Sequence, residues 1–224
     1  MFAQCFKHAN SAASGSMREL KTIKEIVDLL GFGYIKKAAL FVAAKSIIDD
    51  PNIWFESVFV AIAAEFLARK SGMDKIESDQ VYMAGLFQNY GAFLLKTAYP
   101  NIYARVTAVD DFKLRMERER EEFGYTYPLV SALVLTNYGL PDKVIGIIKK
   151  QELVYTKGYQ KENIYIEIAR ILSKIQAQKI DIGLIREHLG VEGIEAMVMN
   201  SGLNLVDINE KSLEDIKVIV SEFV

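Results

Sequence analysis

Residues 83–91 read Met-Ala-Gly-Leu-Phe-Gln-Asn-Tyr-Gly and place two adjacent amides, Gln88 and Asn89, inside an apolar run from Val81 to Leu95. A helix that is apolar around its whole circumference is a buried helix, and buried amides need hydrogen-bond partners inside the protein. A glycine in a helix interior costs about 1 kcal/mol relative to alanine, so the two glycines indicate close approach of another element. The pattern predicts one central helix over residues 79–98 and places any chemistry of the domain beside the two amides.

The composition indicates a large apolar core and little scope for redox or metal chemistry. Hydrophobic residues make up 51% of the 224 residues, and there are only 4 prolines. The net charge of −2 lacks the basic excess of a general nucleic-acid binder, so we expect no nucleic-acid partner. The single cysteine, Cys5, excludes a disulfide framework and fits a reducing cytoplasm, which is the location we predict. His8 and His188 are the only histidines.

The apolar run Val81–Ala98 is long enough to raise the question of a membrane span. Its two amides, its lysine and its two glycines, within about 18 residues, favour a core helix instead. Residues 1–15 carry no signal-peptide pattern, because they are weakly apolar and end without a cleavage-like motif. We therefore predict no membrane span.

Helical signals run through the chain. Asp50-Pro51 is typical of a helix start, with aspartate as the N-cap and proline in the first turn, and an apolar segment over residues 52–70 follows it. No strand-type alternation of any length occurs, so the predicted fold class is all-α. We predict that the helices at 52–70 and 79–98 pack together at the centre of a domain spanning residues 1–178. Residues 179–224 are predicted to form a small helical appendage.

The segment Asp110–Glu122 is the most highly charged part of the sequence. It pairs Arg115 with Glu119, and Arg118 with Glu122, at i,i+4 spacing. A charge run of this kind is typical of a solvated helix face, with a docking surface as the alternative. We predict that this helix presents its charges to water.

Six short fragments follow one another in a characteristic order. They are Ala9-Asn10-Ser11-Ala12, Leu29-Leu30-Gly31-Phe32, Trp54-Phe55-Glu56-Ser57, residues 84–91, Glu121-Glu122-Phe123-Gly124 and Leu140-Pro141. In this order and at this spacing they resemble the HDOD domain, a relative of the HD metal-dependent phosphohydrolases that is found in bacterial signalling proteins. The resemblance covers about residues 2–175. It implies an HD-domain-like multi-helix bundle.

The sequence departs from the enzymes of this superfamily at the positions that bind metal. Glu56 stands where the family often has a histidine after the tryptophan. Gln88-Asn89 stands where the enzymes have the His-Asp pair that names them. Amides keep the shape and hydrogen bonding of that pair but lose its negative charge and its strong nitrogen ligand.

Later positions of the motif depart in the same way. Tyr127 and the Gln151-Glu152 pair match later histidine positions, and Arg170 replaces the final aspartate. An arginine there adds a permanent positive charge beside the former metal site. The resemblance therefore implies a degenerate site with no catalytic residue, no bound metal and no cofactor.

Alternatives remain open at individual positions. Gln88-Asn89 is either a hydrogen-bonded structural pair that ties helices together or the remnant of a ligand site. Glu56 and Glu152 would form a poor Mg²⁺ site without a substrate phosphate. We predict that Glu56, Gln88, Asn89 and Tyr127 line one shared region.

Three functions of different class follow from these observations. We favour a non-catalytic signalling module, not an enzyme, that acts on unidentified signalling proteins through protein–protein contacts. The alternatives are a divergent metal-dependent phosphohydrolase or nucleotide-binding protein, and a structural domain that needs a missing N-terminal part. Met1 falls inside one of the helices that open an HDOD domain, so we expect the helix at residues 2–14 to lack part of its packing. An exposed apolar patch there would mark a missing segment or an oligomer contact.

Overall fold

The computed structural model describes residues 40, 42–109, 111–155, 159–174, 182–189, 194–221 and 223. The predictions for the helix at residues 2–14, for Cys5 and His8, and for the first two resemblance fragments lie outside these residues. The described residues belong to two compact units, one ending at Asp49 and one spanning Asp50–Val224. In the first unit, residues 42–47 are helical.

Every regular element that the structure describes in the second unit is a helix, which confirms the predicted all-α class. Two short 3-10 helices, Gln151–Tyr155 and Leu205–Asp207, accompany the α-helices. The α-helices are α1 (Pro51–Lys70), α2 (Lys75–Phe87), α3 (Tyr90–Ala98), α4 (Pro100–Val106), α5 (Phe112–Phe123), α6 (Tyr127–Asn137), α7 (Asp142–Lys149), α8 (Lys161–Lys174), α9 (Ile182–Leu189), α10 (Ile194–Asn200) and α11 (Glu210–Ser221).

Helix α1 begins where the Asp50-Pro51 signal predicts. The Asp50 carboxylate accepts hydrogen bonds from the backbone N–H groups of Asn52 at 3.1 Å and Ile53 at 3.0 Å, so it caps the first turn. Helices α2, α8 and α11 all pack against α1, which confirms its predicted central position and its contact with the segment that follows it.

Helix α1 also has the length and composition of a membrane span. It is the one helix among the described residues that meets this criterion, and 56% of its apolar window is buried inside the fold. A core helix meets the same criterion, because burial between helices also selects an apolar circumference. The sequence raised the question of a membrane span for residues 81–98 instead, and these residues are divided between α2 and α3.

The prediction of one continuous helix over residues 79–98 is wrong. Helix α2 ends at Phe87 and α3 begins at Tyr90, so Gln88 and Asn89 form the turn between them. The reason is a contact with α6. The Ser131 hydroxyl donates to the Gln88 carbonyl oxygen at 2.6 Å and supplies a partner for a backbone group at the break.

The two glycines of this region make the close approaches that the sequence predicts, but to two different helices. A Cβ atom added at Gly85 would lie 2.8 Å from the Ala61 Cα of α1. A Cβ atom added at Gly91 would lie 2.2 Å from the Tyr127 carbonyl oxygen at the start of α6. The chain therefore turns at the two amides because α2 packs on α1 while α3 packs on α6.

The C-terminal helices pack against the same group of helices. Helix α11 contacts α1, and α10 contacts α8. The Tyr165 hydroxyl of α8 lies 2.7 Å from the Ser71 hydroxyl, at the end of α1. The predicted boundary after residue 178 falls inside the unit that spans Asp50–Val224, and the separation of residues 179–224 as an appendage stays a prediction.

Candidate functional site

A buried arginine, Arg170, forms the centre of the candidate site. Its side chain projects from α8 and is 4% exposed. One terminal nitrogen, Nη1, donates to both carboxylate oxygens of Glu167 at 2.6 and 2.8 Å. The other, Nη2, donates to Gln88 Oε1 at 2.6 Å and to Gln151 Oε1 at 2.9 Å. Because a guanidinium offers only donors, both amides must turn their oxygens towards it.

Two further side chains complete the surroundings of Arg170. The Glu56 carboxylate, from α1, lies 3.7 Å from Arg170 Nε. The Phe112 ring, from the first turn of α5, lies under the guanidinium with its centroid 3.9 Å from Cζ. A planar cation between carboxylates and an aromatic face is well stabilised, which offsets the cost of burying its charge.

A second arginine, Arg115 of α5, lies beside the first. Its Nε contacts Glu119 Oε1 at 3.1 Å, its Nη2 donates to the Tyr103 hydroxyl, and its Cζ lies 4.3 Å from the centroid of the Tyr127 ring. The other oxygen of Glu119 accepts a hydrogen bond from the Tyr127 backbone N–H at 2.6 Å. This pair therefore fixes the start of α6 against α5.

The prediction that α5 presents its charges to water is wrong for this pair. Glu119 is fully buried and its neighbour Met116 is buried as well. The i,i+4 spacing correctly indicates that Arg115 and Glu119 pair. For the second predicted pair, Arg118 with Glu122, the structure instead shows Arg118 Nη1 donating to the Arg105 carbonyl oxygen at 3.4 Å. The spacing carries no information about which face of the helix is covered.

Burial and the two arginines act in opposite directions on the acidic groups of the site. Burial raises the pKa of the Glu167 carboxyl, and Arg170 opposes that shift. Burial likewise raises the pKa of Glu119, against the effects of Arg115 and the Tyr127 N–H. The pKa of the Tyr127 hydroxyl is raised above its usual value by burial, with Arg170 and Arg115 opposing. Tyr127 therefore stays neutral near pH 7 and is no general base there.

The structure brings most of the predicted site residues to the two arginines. Gln88, Gln151 and Glu56 contact Arg170 directly. Tyr127 lies against Arg115, and its ring meets Phe112 edge-on at a centroid distance of 6.0 Å.

Asn89 and Glu152 differ from the others in their contacts. Asn89 is buried and lines a cavity of about 400 Å³ together with Glu56 and Arg115. Glu152 is part of the same 3-10 helix as Gln151, but its carboxylate forms an ion pair with Arg120. Glu56 and Glu152, considered from the sequence as possible magnesium ligands, therefore lie beside different arginines. Glu56 is beside Arg170 and Glu152 is beside Arg120.

Two residues that contact Arg170 were not singled out from the sequence. Glu167 lies three residues before Arg170 on α8, a helical spacing that brings their side chains together and was available as a signal. Phe112 carries no comparable signal, because its contact with Arg170 depends on how α5 packs.

Several buried donors of the site lack a hydrogen-bond partner among the described residues. They are Gln88 Nε2, Asn89 Nδ2, Gln151 Nε2 and Tyr127 Oη. For the two glutamines this follows from the arginine, because each amide that gives its oxygen to Arg170 has its nitrogen facing away. The sequence suggested a hydrogen-bonded structural pair at Gln88-Asn89. Within the described part of the chain the Gln88 side-chain oxygen has a partner, whereas the two amide nitrogens have none.

The residues present do not fit a metal ion of the kind that the HD superfamily implies. Within the described residues, no group of three or more His, Cys, Asp or Glu side chains is arranged to hold one. The carboxylates of Glu56 and Glu167 both face the Arg170 guanidinium, which would repel a divalent cation. The amide oxygens of Gln88 and Gln151 already accept hydrogen bonds from the same group.

Replacing Glu119 with alanine is expected to lower the free energy of unfolding by about 3 kcal/mol. The change leaves the Tyr127 N–H buried without an acceptor and deprives Arg115 of its carboxylate. Urea unfolding followed by circular dichroism measures the effect. The matched control is Glu122→Ala, at an exposed position of the same helix, which should change stability by less than about 0.5 kcal/mol. Equal effects of the two changes would show that Glu119 is solvated after all.

The fold and the site together define an all-helical domain with a buried arginine, Arg170, at the centre of the candidate site. The chain belongs to the HDOD domain family, whose family model matches residues 1–154. A search of curated proteins found no match.

Several solved structures share this fold. A "putative phosphohydrolase" from Shewanella amazonensis SB2B is 17% identical with a TM-score of 0.69, and the match covers 98% of this chain and 80% of that one. An "HDOD domain protein with unknown function" from Geobacter sulfurreducens is 20% identical with a TM-score of 0.64, covering 99% and 81%. A "putative signal transduction protein" from Marinobacter aquaeolei VT8 is 20% identical with a TM-score of 0.64, and the match covers 99% of this chain but 52% of that one. At these identities the likeness shows the fold alone.

Proposed function

We propose that this chain is a non-catalytic regulatory module that acts in the cytoplasm through contacts with signalling proteins. In this proposal the motif positions of the HD enzymes are degenerate here and serve the structure of the domain. The observation that carries the proposal is the position of the Arg170 guanidinium, bonded to both Gln88 and Gln151.

The chemistry of phosphate-ester hydrolysis supports this proposal. Hydrolysis by a metal centre needs a cation that polarises the phosphoryl oxygen and generates hydroxide from a bound water near neutral pH. The Arg170 guanidinium cannot replace the metal ion. It does not coordinate a water molecule, so it does not generate hydroxide near neutral pH as a bound metal ion does. Its charge is also neutralised in place by Glu167. Arg170 therefore acts as a structural link between α8, the turn before α3 and the 3-10 helix that contains Gln151.

An apolar groove on the surface supports a role in protein contacts. It has a volume of about 410 Å³ and lies between α3 and α6. Its wall includes side chains that are left open to water, such as Leu133 of α6, which is 68% exposed. Large apolar side chains grouped around one groove are typical of surfaces that bind other proteins.

The purified protein is expected to hydrolyse no phosphate ester and to retain no transition metal. Elemental analysis after purification without an affinity tag should find substoichiometric Zn, Fe and Mn. Assays with nucleoside phosphates and cyclic dinucleotides, with added Mg²⁺ or Mn²⁺, should stay at background, because amide oxygens beside a guanidinium make a poor cation site. Turnover that is lost in a Gln88→Ala, Asn89→Ala double variant and kept in Glu152→Gln would refute the proposal.

A further inference from the structure

The groove between α3 and α6 is bounded by two rows of apolar side chains. Leu94 and Ala98, four residues apart on α3, form one wall. Leu129 and Leu133, four residues apart on α6, form the other wall and are 41% and 68% exposed. None of the described residues that line the groove carries a charge. Covering this surface therefore removes apolar area from water without burying a charged group.

The groove has the form of a site for a helix. It lies between α3 and α6, which pack against each other, and α6 is 11 residues long. At a rise of about 1.5 Å per residue, α6 extends over about 16 Å, which corresponds to about three turns of a bound helix. Apolar side chains at i, i+4 and i+7 of such a helix would enter the groove. Strand addition has no counterpart here, because the described residues form no sheet edge.

One end of the groove is aromatic and leads to the C-terminal end of α5. Tyr99 follows the last residue of α3, Tyr125 precedes the first turn of α6, and both line the groove. The centroid of the Phe123 ring lies 5.5 Å from that of Tyr99 and 6.2 Å from that of Tyr125. Phe123 is the last residue of α5, so the two acidic residues that directly precede it, Glu121 and Glu122, lie close to this end of the groove.

The aromatic end of the groove carries negative charge. Glu121 and Glu122 are exposed, and neither forms an ion pair with another described residue. Arg120, in the same turn, is already paired with Glu152, and Arg118, one turn earlier, donates to a backbone carbonyl oxygen. The carbonyl groups at the C-terminal end of α5 add partial negative charge of the same sign. This end of the groove therefore attracts a cation, whereas the rest of it is uncharged.

We propose that this groove binds an amphipathic helix of a partner protein that carries basic residues at one end. The apolar face of that helix lies on the two walls, and its basic residues lie beside Glu121 and Glu122. This assignment rests on the proposed function and adds to it the chemistry of the partner.

Charge favours such a helix over a second copy of this chain. In a symmetric dimer the same surface patch of both copies meets at the interface. A second copy would bring the same uncharged lining and the same acidic end, so Glu121 and Glu122 would gain no basic counterpart. A basic helix supplies both the apolar face and the opposite charge.

Fluorescence anisotropy with labelled model peptides tests the proposal on the full chain. The probe is a peptide of about 18 residues with leucines at i, i+4, i+7 and i+11 on one helical face and lysines in its last turn. A twin peptide carries glutamates in place of the lysines, and a third has the composition of the first without the apolar face. At low ionic strength we expect the lysine peptide to bind one-to-one with micromolar affinity. The glutamate twin should bind roughly tenfold more weakly or less, and the third peptide should not bind.

Two double variants of the protein locate the bound peptide. Leu129→Ser, Leu133→Ser removes two exposed apolar side chains of the groove, so its affinity for the lysine peptide should fall roughly tenfold or more. Glu121→Gln, Glu122→Gln keeps the size of the side chains and removes their charge, so its affinity at low ionic strength should fall roughly three- to tenfold. Because all four positions are exposed, both variants should unfold at the denaturant concentration of the parent.

Matched controls lie outside the groove. Ile76→Ser changes a 71% exposed apolar residue of α2, and Glu187→Gln changes an exposed acid of α9, so both should bind the lysine peptide as the parent does. The proposal is overturned if the lysine peptide fails to bind at millimolar concentration, if the glutamate twin binds equally well, or if the leucine variant binds as the parent does. A dimer in light scattering that the leucine variant converts to a monomer would assign the groove to a second copy instead. None of these results bears on the non-catalytic role, which the assays of hydrolysis and metal content test separately.

Discussion

Replacing Arg170 with methionine is expected to lower the free energy of unfolding by about 4 kcal/mol. Methionine keeps an unbranched apolar stem but has no charged end, so the change leaves the Glu167 carboxylate buried without its counter-ion. It also removes the donor from the buried oxygens of Gln88 and Gln151. Breaking a buried ion pair from one side typically costs about 3–5 kcal/mol. Guanidinium chloride unfolding followed by circular dichroism gives the difference.

Two further variants make this result specific to the buried guanidinium. Arg186 pairs with Glu195 at an exposed position of α9, so Arg186→Met should cost less than about 1 kcal/mol. Arg170→Lys should cost nearly as much as Arg170→Met, because an ammonium group cannot reach Glu167, Gln88 and Gln151 with the planar arrangement that they require. If Arg170→Met and Arg186→Met were equally mild, the guanidinium would not hold the site together.

Replacing Gly91 with alanine is expected to destabilise the protein by about 3 kcal/mol. The added Cβ would lie 2.2 Å from the Tyr127 carbonyl oxygen and 2.7 Å from the Ser131 backbone nitrogen, and backbone atoms cannot rotate aside. The shift of α3 that relieves this contact would also lengthen the 2.7 Å hydrogen bond from the Gly91 N–H to the Ser131 hydroxyl. Forcing extra atoms into a packed interface typically costs about 1–3 kcal/mol. The upper end of this range applies here, because backbone atoms must move.

The chain offers a matched glycine for comparison. Gly146 lies inside α7, and nothing lies within 4 Å of a Cβ atom added there. Gly146→Ala should therefore stabilise the protein by roughly 0.5–1 kcal/mol, because alanine reduces the freedom of the unfolded chain without creating a contact. Thermal unfolding of both variants should separate them in sign, and a destabilised Gly146→Ala beside a neutral Gly91→Ala would contradict the packing described here.

Local signals in the sequence were sufficient for the helix starts and for close packing. Asp50-Pro51 predicts the start of α1, because capping depends on atoms only two or three residues away. The glycines at 85 and 91 predict close approach, because a helix interior tolerates glycine poorly without a packing reason. Neither signal names the partner helix, which lies far away in the sequence.

The division of the central apolar run could not be predicted from its own residues. A contact that stabilises the break comes from Ser131, which lies 43 residues after Gln88 and donates to its carbonyl oxygen. Hydrophobic periodicity is a property of one continuous segment of sequence. It therefore predicts an unbroken helix even where a side chain from a distant segment stabilises a turn. The burial of Glu119 was not predicted for the same reason. Its pairing with Arg115 is local in the sequence, whereas its burial depends on helices from other parts of the chain.

The resemblance, rather than the periodicity, indicated which distant residues to consider together. Glu56, Gln88, Gln151 and Arg170 come from separate elements, and the structure places the first three around the last. The arginine was expected only as a charge beside a former metal site. Its hydrogen bonds to two amides depend on the approach of α8 to the turn after α2, which no local pattern in the sequence describes.

Crystals grown with MnCl₂ and measured by anomalous scattering test the central claim, that an arginine and not a metal ion organises these motif positions. We expect no anomalous peak within coordination distance, roughly 2.0–2.6 Å, of Glu56, Gln88 or Gln151. We also expect Arg170 Nη2 to be bonded to both glutamines, as it is here. A manganese ion bound to Glu56 and Gln88, with the Arg170 side chain displaced, would contradict the account.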